Sequence, residues 1–272
     1  PDGRNVVTVA VRDGGLFYAV DRGGRHVLLP SRLGFELRGA RALRDSLRVV
    51  DSARRSYDST WTQPWGEVRR VREHYNELRV RVAEDAAPRR SFAVTFRAFD
   101  DGVGFRYELG DSSSNGGVGD YEIMDELTEF VLADNGRAWW IASDRPRLDR
   151  SEQLYSEGPV STLDSVQTPL TIQLTGGTQV VIHEANLVDY PRMFLAGPRK
   201  ESRTLRAALA PWADGVKVRG RTPLTTPWRT IQLADRVEDL APSLLGLKLN
   251  PPSAIADVSW IHPMKYDGIW WG

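Results

Sequence analysis

Ser91-Phe92-Ala93-Val94-Thr95-Phe96-Arg97-Ala98-Phe99-Asp100-Asp101-Gly102-Val103-Gly104-Phe105-Arg106-Tyr107-Glu108-Leu109 is the stretch that decides the fold. Phe92, Val94, Phe96 and Ala98 fall on one face of an extended chain, while Thr95 and Arg97 point the other way. After Asp100-Asp101-Gly102 the alternation resumes, with Val103, Phe105, Tyr107 and Leu109 on one face and Arg106 and Glu108 on the other. Asp-Gly supplies the positive φ angles that a tight hairpin needs. The stretch therefore reads as an antiparallel hairpin with one face on a core and one face solvated.

The same period of two extends outward in both directions. Val6, Thr8 and Ala10 alternate with Val7, Val9 and Val11, and Asp13-Gly14-Gly15 turns the chain into Leu16-Phe17-Tyr18-Ala19-Val20. Further strands are predicted near 67–72, 74–83, 126–132, 137–141, 169–175, 179–185, 203–209 and 228–234, with Gly176-Gly177 joining two of them. Helical periodicity is confined to short stretches near 38–46 and 237–247, and Pro242 weakens the second. Asp111 to Asp120, with three Ser and three Gly, reads as a loop. Short strands separated by turn signals every 8–12 residues argue for a sandwich or barrel. The expected fold is all-β: one large antiparallel β-sandwich with few short helices.

Composition narrows the function. The 272 residues carry 36 Lys plus Arg against 36 Asp plus Glu, so no net field points to nucleic acid or to an anionic membrane. No apolar run approaches the length that spans a bilayer. Cysteine is absent, which excludes disulfides, thiolate metal sites and Cys nucleophiles. The nine Trp could stack on sugar rings or simply fill a core. The chain opens on Pro1-Asp2-Gly3 and closes on Ile269-Trp270-Trp271-Gly272, an apolar ending unlike the polar termini of most domains. It reads as a piece of a longer protein, with the final Trp rings expected to fold back on the sandwich or to pair with a second copy.

Val180-Val181-Ile182-His183-Glu184-Ala185-Asn186 is the best candidate for chemistry. Val180, Ile182 and Glu184 share a face, so Glu184 continues an apolar row, and its charge needs compensation from an Arg, a helix N-terminus or a metal ion. A hard cation such as Ca²⁺ is one reading; a solvated strand end is the other. His183-Glu184 is not a zincin motif, because position 187 is Leu rather than His. No G-x-S-x-G occurs, and His26, His74, His183 and His262 fall on separate predicted elements. Trp61-Thr62-Gln63-Pro64-Trp65-Gly66-Glu67, followed by His74-Tyr75-Asn76, offers a flat apolar surface for a pyranose, with Trp61, Trp65 and Asn76 as candidate substrate contacts. The alternative is a loop plugging one end of the sandwich. Asp120, Asp125, Glu126 and Glu129 could supply paired carboxylates of the kind glycosidases use, or a solvated acidic face, the commoner outcome at a strand start.

Several strings together carry a resemblance. Gln63-Pro64-Trp65-Gly66-Glu67, His74-Tyr75-Asn76-Glu77-Leu78, Phe96 through Tyr107, His183-Glu184-Ala185, Thr226-Pro227-Trp228-Arg229 and the tail from Ser259-Trp260 to Trp270-Trp271-Gly272 resemble, in order, the N-terminal domain of glycoside hydrolase family 97. The resemblance implies a mutarotase-like β-sandwich over 1–258, and a linker beginning at 259–272 toward a (β/α)8 barrel that carries the catalytic carboxylates. It implies an α-glucosidase or α-galactosidase acting on α-linked oligosaccharides, periplasmic or otherwise exported. It also implies a Ca²⁺ ion held mainly by barrel glutamates, with Glu184 as the one ligand from this domain. No catalytic residue is expected within the chain itself, which is expected to hydrolyse nothing alone, to bind Ca²⁺ weakly at best, and to self-associate through the face left uncovered. Two rival readings are a free-standing sugar-binding module using Trp61, Trp65 or Trp139-Trp140, and a mutarotase-like epimerase, which needs a His and a carboxylate converging on one sugar.

Overall fold

A computed structural model describes residues 1–85, 87, 89–110, 120–143, 153–198, 202–262 and 268. The hairpin forms as the sequence predicts. Ser91–Phe99 and Gly102–Leu109 pair in antiparallel register, with Phe96 opposite Phe105 and Phe99 opposite Gly102. The turn differs in detail, since neither Asp100 nor Asp101 takes a positive φ and the unusual conformation falls on Gly102, at φ 148°. A Cβ on Gly102 would stand 2.4 Å from the Ile231 carbonyl oxygen, so only glycine lets the neighbouring strand come this close. Asp13-Gly14 makes the other turn as read, with φ of 49° and 76°.

Ten strands form one antiparallel sheet around the hairpin. Across it the order is Tyr155–Pro159, Arg137–Ile141, Leu170–Gln173, Gln179–Ala185, Trp228–Ala234, Gly102–Leu109, Ser91–Phe99, Arg70–Glu84 and Leu47–Thr62, with Leu224–Thr225 also paired to Gly102–Leu109. A seven-stranded sheet faces it, in the order Asn5–Arg12, Gly15–Arg22, Arg25–Leu33, Glu129–Leu132, Thr204–Leu209, Met193–Ala196 and Ser165–Val166. Val218–Arg221, Asp120–Glu126 and Phe35–Leu37 make a third, three-stranded sheet. The two large sheets close on one apolar core. Tyr18 of the seven-stranded sheet lies 4.8 Å from Phe105 of the ten-stranded one, ring to ring, and Phe35 of the small sheet lies 4.5 Å from Tyr107. Each such fully buried side chain contributes about 1.5–3 kcal/mol.

Three expectations are corrected. The stretch near 38–46 is not helical: Gly39 and Ser46 take positive φ, and Leu43 bridges to Phe35. Immediately after it, Leu47–Thr62 runs as a sixteen-residue strand at the edge of the ten-stranded sheet, although most of it is exposed and polar. Its long ladder with Arg70–Glu84, a single strand where the sequence suggests two, holds it extended. The stretch near 237–247 keeps only a 3₁₀ turn at Val237–Asp239 and one helical turn at Leu245–Lys248.

That helical turn lies on the outer face of the ten-stranded sheet. Asp101 holds it by accepting hydrogen bonds from Ser243 Oγ at 2.8 Å, the Leu244 amide at 3.2 Å and Lys248 Nζ at 2.7 Å. Leu245 and Leu249 join Tyr75, Phe99, Ala185 and Trp228 in a second, smaller core on this face. Among the described residues, no helix is long and apolar enough to cross a membrane. The ending Ile269-Trp270-Trp271-Gly272, and the 111–119 part of the predicted loop, lie outside the described residues.

Candidate functional site

Strand alternation brings Glu184 and Arg229 to the inner face of the ten-stranded sheet, as directly opposed residues of Gln179–Ala185 and Trp228–Ala234. Val180, Ile182, Ile231 and Leu233 on the same face are buried, so both charges extend apolar rows. Arg229 is wholly buried, and the Glu184 side chain is 6% exposed. The third member is Glu126, the last residue of Asp120–Glu126, which is wholly buried in the small sheet.

The hydrogen bonds are complete on one side of the cluster and sparse on the other. Arg229 donates to Glu126 through Nε at 2.9 Å and Nη2 at 2.6 Å, a two-pronged pairing that fixes both planes. Thr128 Oγ1 donates to Glu126 Oε1 at 2.8 Å and in turn accepts from the Tyr107 hydroxyl at 2.6 Å, while the Tyr190 hydroxyl donates to Glu126 Oε2 at 2.9 Å. Glu184 receives Arg229 Nη1 on Oε2 at 2.7 Å and the Met193 amide at 3.0 Å on Oε1 and 3.2 Å on Oε2.

Burial raises the pKa of both carboxyls, and their surroundings answer it differently. For Glu126 the Arg229 charge and four donated hydrogen bonds outweigh burial, leaving the carboxyl below its usual range. For Glu184 the single Arg229 contact and the Met193 amide do not, and the carboxyl stays above its usual range. One guanidinium serves two carboxylates, so the ionised trio keeps one uncompensated negative charge, and that charge falls on Glu184. The compensation the sequence calls for is thus an Arg, and it is incomplete.

Among the described residues, no three His, Asp or Glu side chains gather where they could hold an ion. Ca²⁺ takes six to eight oxygens, and this chain offers one carboxylate at the strand end.

The remaining candidates separate. Trp61 and Trp65 line one cleft with Tyr57, whereas Asn76 projects to the opposite sheet face, where it accepts from Ser56 Oγ at 2.6 Å. Trp139 is half-buried and donates through Nε1 to Glu157 at 2.9 Å, whereas Trp140 packs on the main core. Asp120, Asp125, Glu126 and Glu129 do not form a solvated acidic face: Glu126 is in the core, while Asp120 pairs with Arg221 and Glu129 with Arg206. His183 projects away from Glu184, on the other sheet face, and His26 pairs with Asp21 on an exposed hairpin. Sequence reasoning missed Glu126 and Arg229 as partners. The one available signal was Arg229 at an inward position of the Trp228–Ala234 alternation.

Comparison with known proteins bears on the family and the fold. The family model described as "Glycosyl-hydrolase 97 N-terminal" matches residues 1–252. A retaining α-galactosidase of Bacteroides thetaiotaomicron is 25% identical over all of this chain and 43% of its own length. A probable retaining α-galactosidase of Streptomyces bingchenggensis is 30% identical over 92% of this chain and 36% of its own. Among solved structures, a glycoside hydrolase family 97 enzyme from Pseudoalteromonas sp. strain K8, in complex with panose, superposes with a TM-score of 0.90 at 35% identity, over 97% of this chain and 39% of that one. A family 97 enzyme of the same strain is also known with acarbose. A β-arabinopyranosidase shares the fold, at a TM-score of 0.75 and 22% identity over 87% of this chain and 39% of its own. The chain spans about two fifths of the length of the curated relatives it matches.

Proposed function

Since the chain belongs to glycoside hydrolase family 97, whose N-terminal domain it comprises, we propose that it is the supporting domain of an α-glycoside hydrolase acting on α-linked oligosaccharides, with Glu184 lending one carboxylate oxygen to a Ca²⁺ ion. The α-galactosidase relatives and the panose and acarbose complexes support the substrate class. On this reading the catalytic acids lie in the remainder of a longer enzyme, and the 272-residue chain alone hydrolyses nothing. An exported or periplasmic location belongs to the same proposal.

The observation that carries the role of Glu184 is its charge balance. A carboxylate at a strand end, almost buried and only half answered by Arg229, favours a cation at its remaining lone pairs. A hard oxygen donor suits Ca²⁺, and the other ligands have to come from outside the described residues. When bound, the ion would supply Lewis-acid polarisation near the glycosidic oxygen. This chain's own part is positional. Arg229 and the Met193 amide aim the Glu184 carboxylate, and Glu126, Thr128 and Tyr190 keep Arg229 from swinging away.

The test uses the full-length enzyme with 4-nitrophenyl α-galactoside and α-glucoside. Glu184→Ala is expected to weaken Ca²⁺ binding in calorimetry and to lower kcat/KM, each at least about tenfold, roughly 1.4 kcal/mol. Unchanged Ca²⁺ affinity together with unchanged kcat/KM sinks the proposal.

A further inference from the structure

The outer face of the ten-stranded sheet carries a cleft of about 490 Å³, within the range of small-ligand sites. Tyr57 and Trp61 project into it from one face of Leu47–Thr62, and Glu73 from the neighbouring strand. Trp65 closes one end on the turn beyond the strand, and Asn250 and Pro251, just past the helical turn, form the opposite wall. Apolar rings are left uncovered here: Trp65 is 41% and Tyr57 is 40% exposed.

The walls are held in place before any ligand arrives. Tyr57 stacks on Tyr75 at 5.1 Å with 25° between the rings. Gln63 fixes the Trp65 turn, its backbone amide donating to the Arg69 carbonyl at 2.9 Å and its Nε2 to the Val68 carbonyl at 2.7 Å. Ordering costs on binding are correspondingly small.

Glu73 decides which chemistry fits. Its side chain is largely covered, its carboxylate makes no hydrogen bond among the described residues, and the nearest cation, Arg97 Nη1, is at 3.9 Å. A purely apolar occupant would seal this carboxylate away from water without a donor, which is costly. A pyranose brings both complements: an apolar C–H face for the indole and phenol rings, and hydroxyl donors for the carboxylate.

We propose that this cleft is a carbohydrate-binding site that takes a pyranose of an α-linked oligosaccharide between Trp61, Trp65 and Tyr57, with Glu73 accepting from its hydroxyls. The site is independent of Glu184. Its strand is the fifth neighbour of Gln179–Ala185 across the sheet, about 24 Å at ordinary strand spacing.

The experiment titrates the 272-residue chain with maltotriose and with raffinose in excess EDTA, followed by calorimetry and tryptophan fluorescence. Saturable binding of either sugar is expected. Trp65→Ala and Glu73→Gln should each weaken it at least about tenfold without changing the circular-dichroism melting curve. Trp139→Ala, seven strands away from Leu47–Thr62 across the sheet, and Glu184→Ala should leave it unchanged. Absence of saturable binding overturns the inference, as does binding that Trp65→Ala leaves intact. Binding lost with Glu184→Ala would assign the sugar to the proposed metal site instead. A dimer that Trp65→Ala dissolves in sedimentation, with no sugar bound, would assign the cleft to a second copy of the chain.

Discussion

Arg229 and Glu126 meet through two parallel hydrogen bonds, at 2.9 and 2.6 Å, with neither side chain exposed to solvent. The pair ties the ten-stranded sheet to the small three-stranded one, so its rupture is felt by both. Glu126→Gln leaves Arg229 charge-balanced by Glu184 but breaks the two-pronged pairing, and should cost about 1.5–3 kcal/mol in urea denaturation. Arg229→Lys keeps the charge but loses the fork, and should not restore wild-type stability.

Asp125, next in sequence to Glu126, behaves oppositely. Burial pushes its carboxyl up to about 6, against an ordinary 3.8, and Lys217 only partly offsets this. Between these values the folded chain holds a proton that the unfolded chain has released, so this residue's contribution to stability falls as pH rises from about 4 to 6. Asp125→Asn should therefore stabilise the chain at pH 7 by about 1–2 kcal/mol, discounted for partial exposure, and converge with wild type near pH 4. Melting curves across pH 4–8 check this; an unchanged slope contradicts it.

Asp101 accepts three hydrogen bonds from the helical turn at Leu245–Lys248 and the residues leading into it. Asp101→Ala should loosen 243–250 locally by about 1.5–3 kcal/mol. Hydrogen exchange would rise in that segment while the central strands keep their protection. Uniform loss of protection would show that the turn is bound into the global fold.

Gly102→Ala places a methyl group 2.4 Å from the Ile231 carbonyl oxygen, in a backbone conformation that alanine resists. A loss of about 2–3 kcal/mol is expected. Gly176→Ala, where the nearest atom is 3.6 Å away on the flexible Arg25 side chain, should change stability by less than about 0.5 kcal/mol.

The hairpin at 91–109 was legible because both its strands alternate strictly and its turn is marked by Asp-Gly. Leu47–Thr62 was not, because its extended state depends on a partner strand rather than on its own pattern. The Glu184 carboxylate stood out as a charge continuing an apolar row. Its partners were not local: Arg229 lies 45 residues from Glu184 and 103 from Glu126; strand pairing sets it opposite Glu184, and the packing of the small sheet brings in Glu126. Glu126 in particular sits in an acidic run whose local pattern is that of solvated surface. The Trp61–Trp65 surface was visible as composition, but its far wall, Asn250 and Pro251, comes from the other end of the chain.

The edge position of Leu47–Thr62 has a consequence for how the chain behaves in company. Sixteen residues of strand with a partner on one side only are a template for pairing with another chain. Here Arg48, Asp51, Arg54, Arg55 and Asp58 place charges along that template, so a second strand would have to match or strip them before it could add. Solubility at this edge is therefore written in side-chain charge rather than in length or shape. Neutralising Arg54 and Arg55 together would convert the longest exposed edge among the described residues from a barrier into a nucleation point for aggregation.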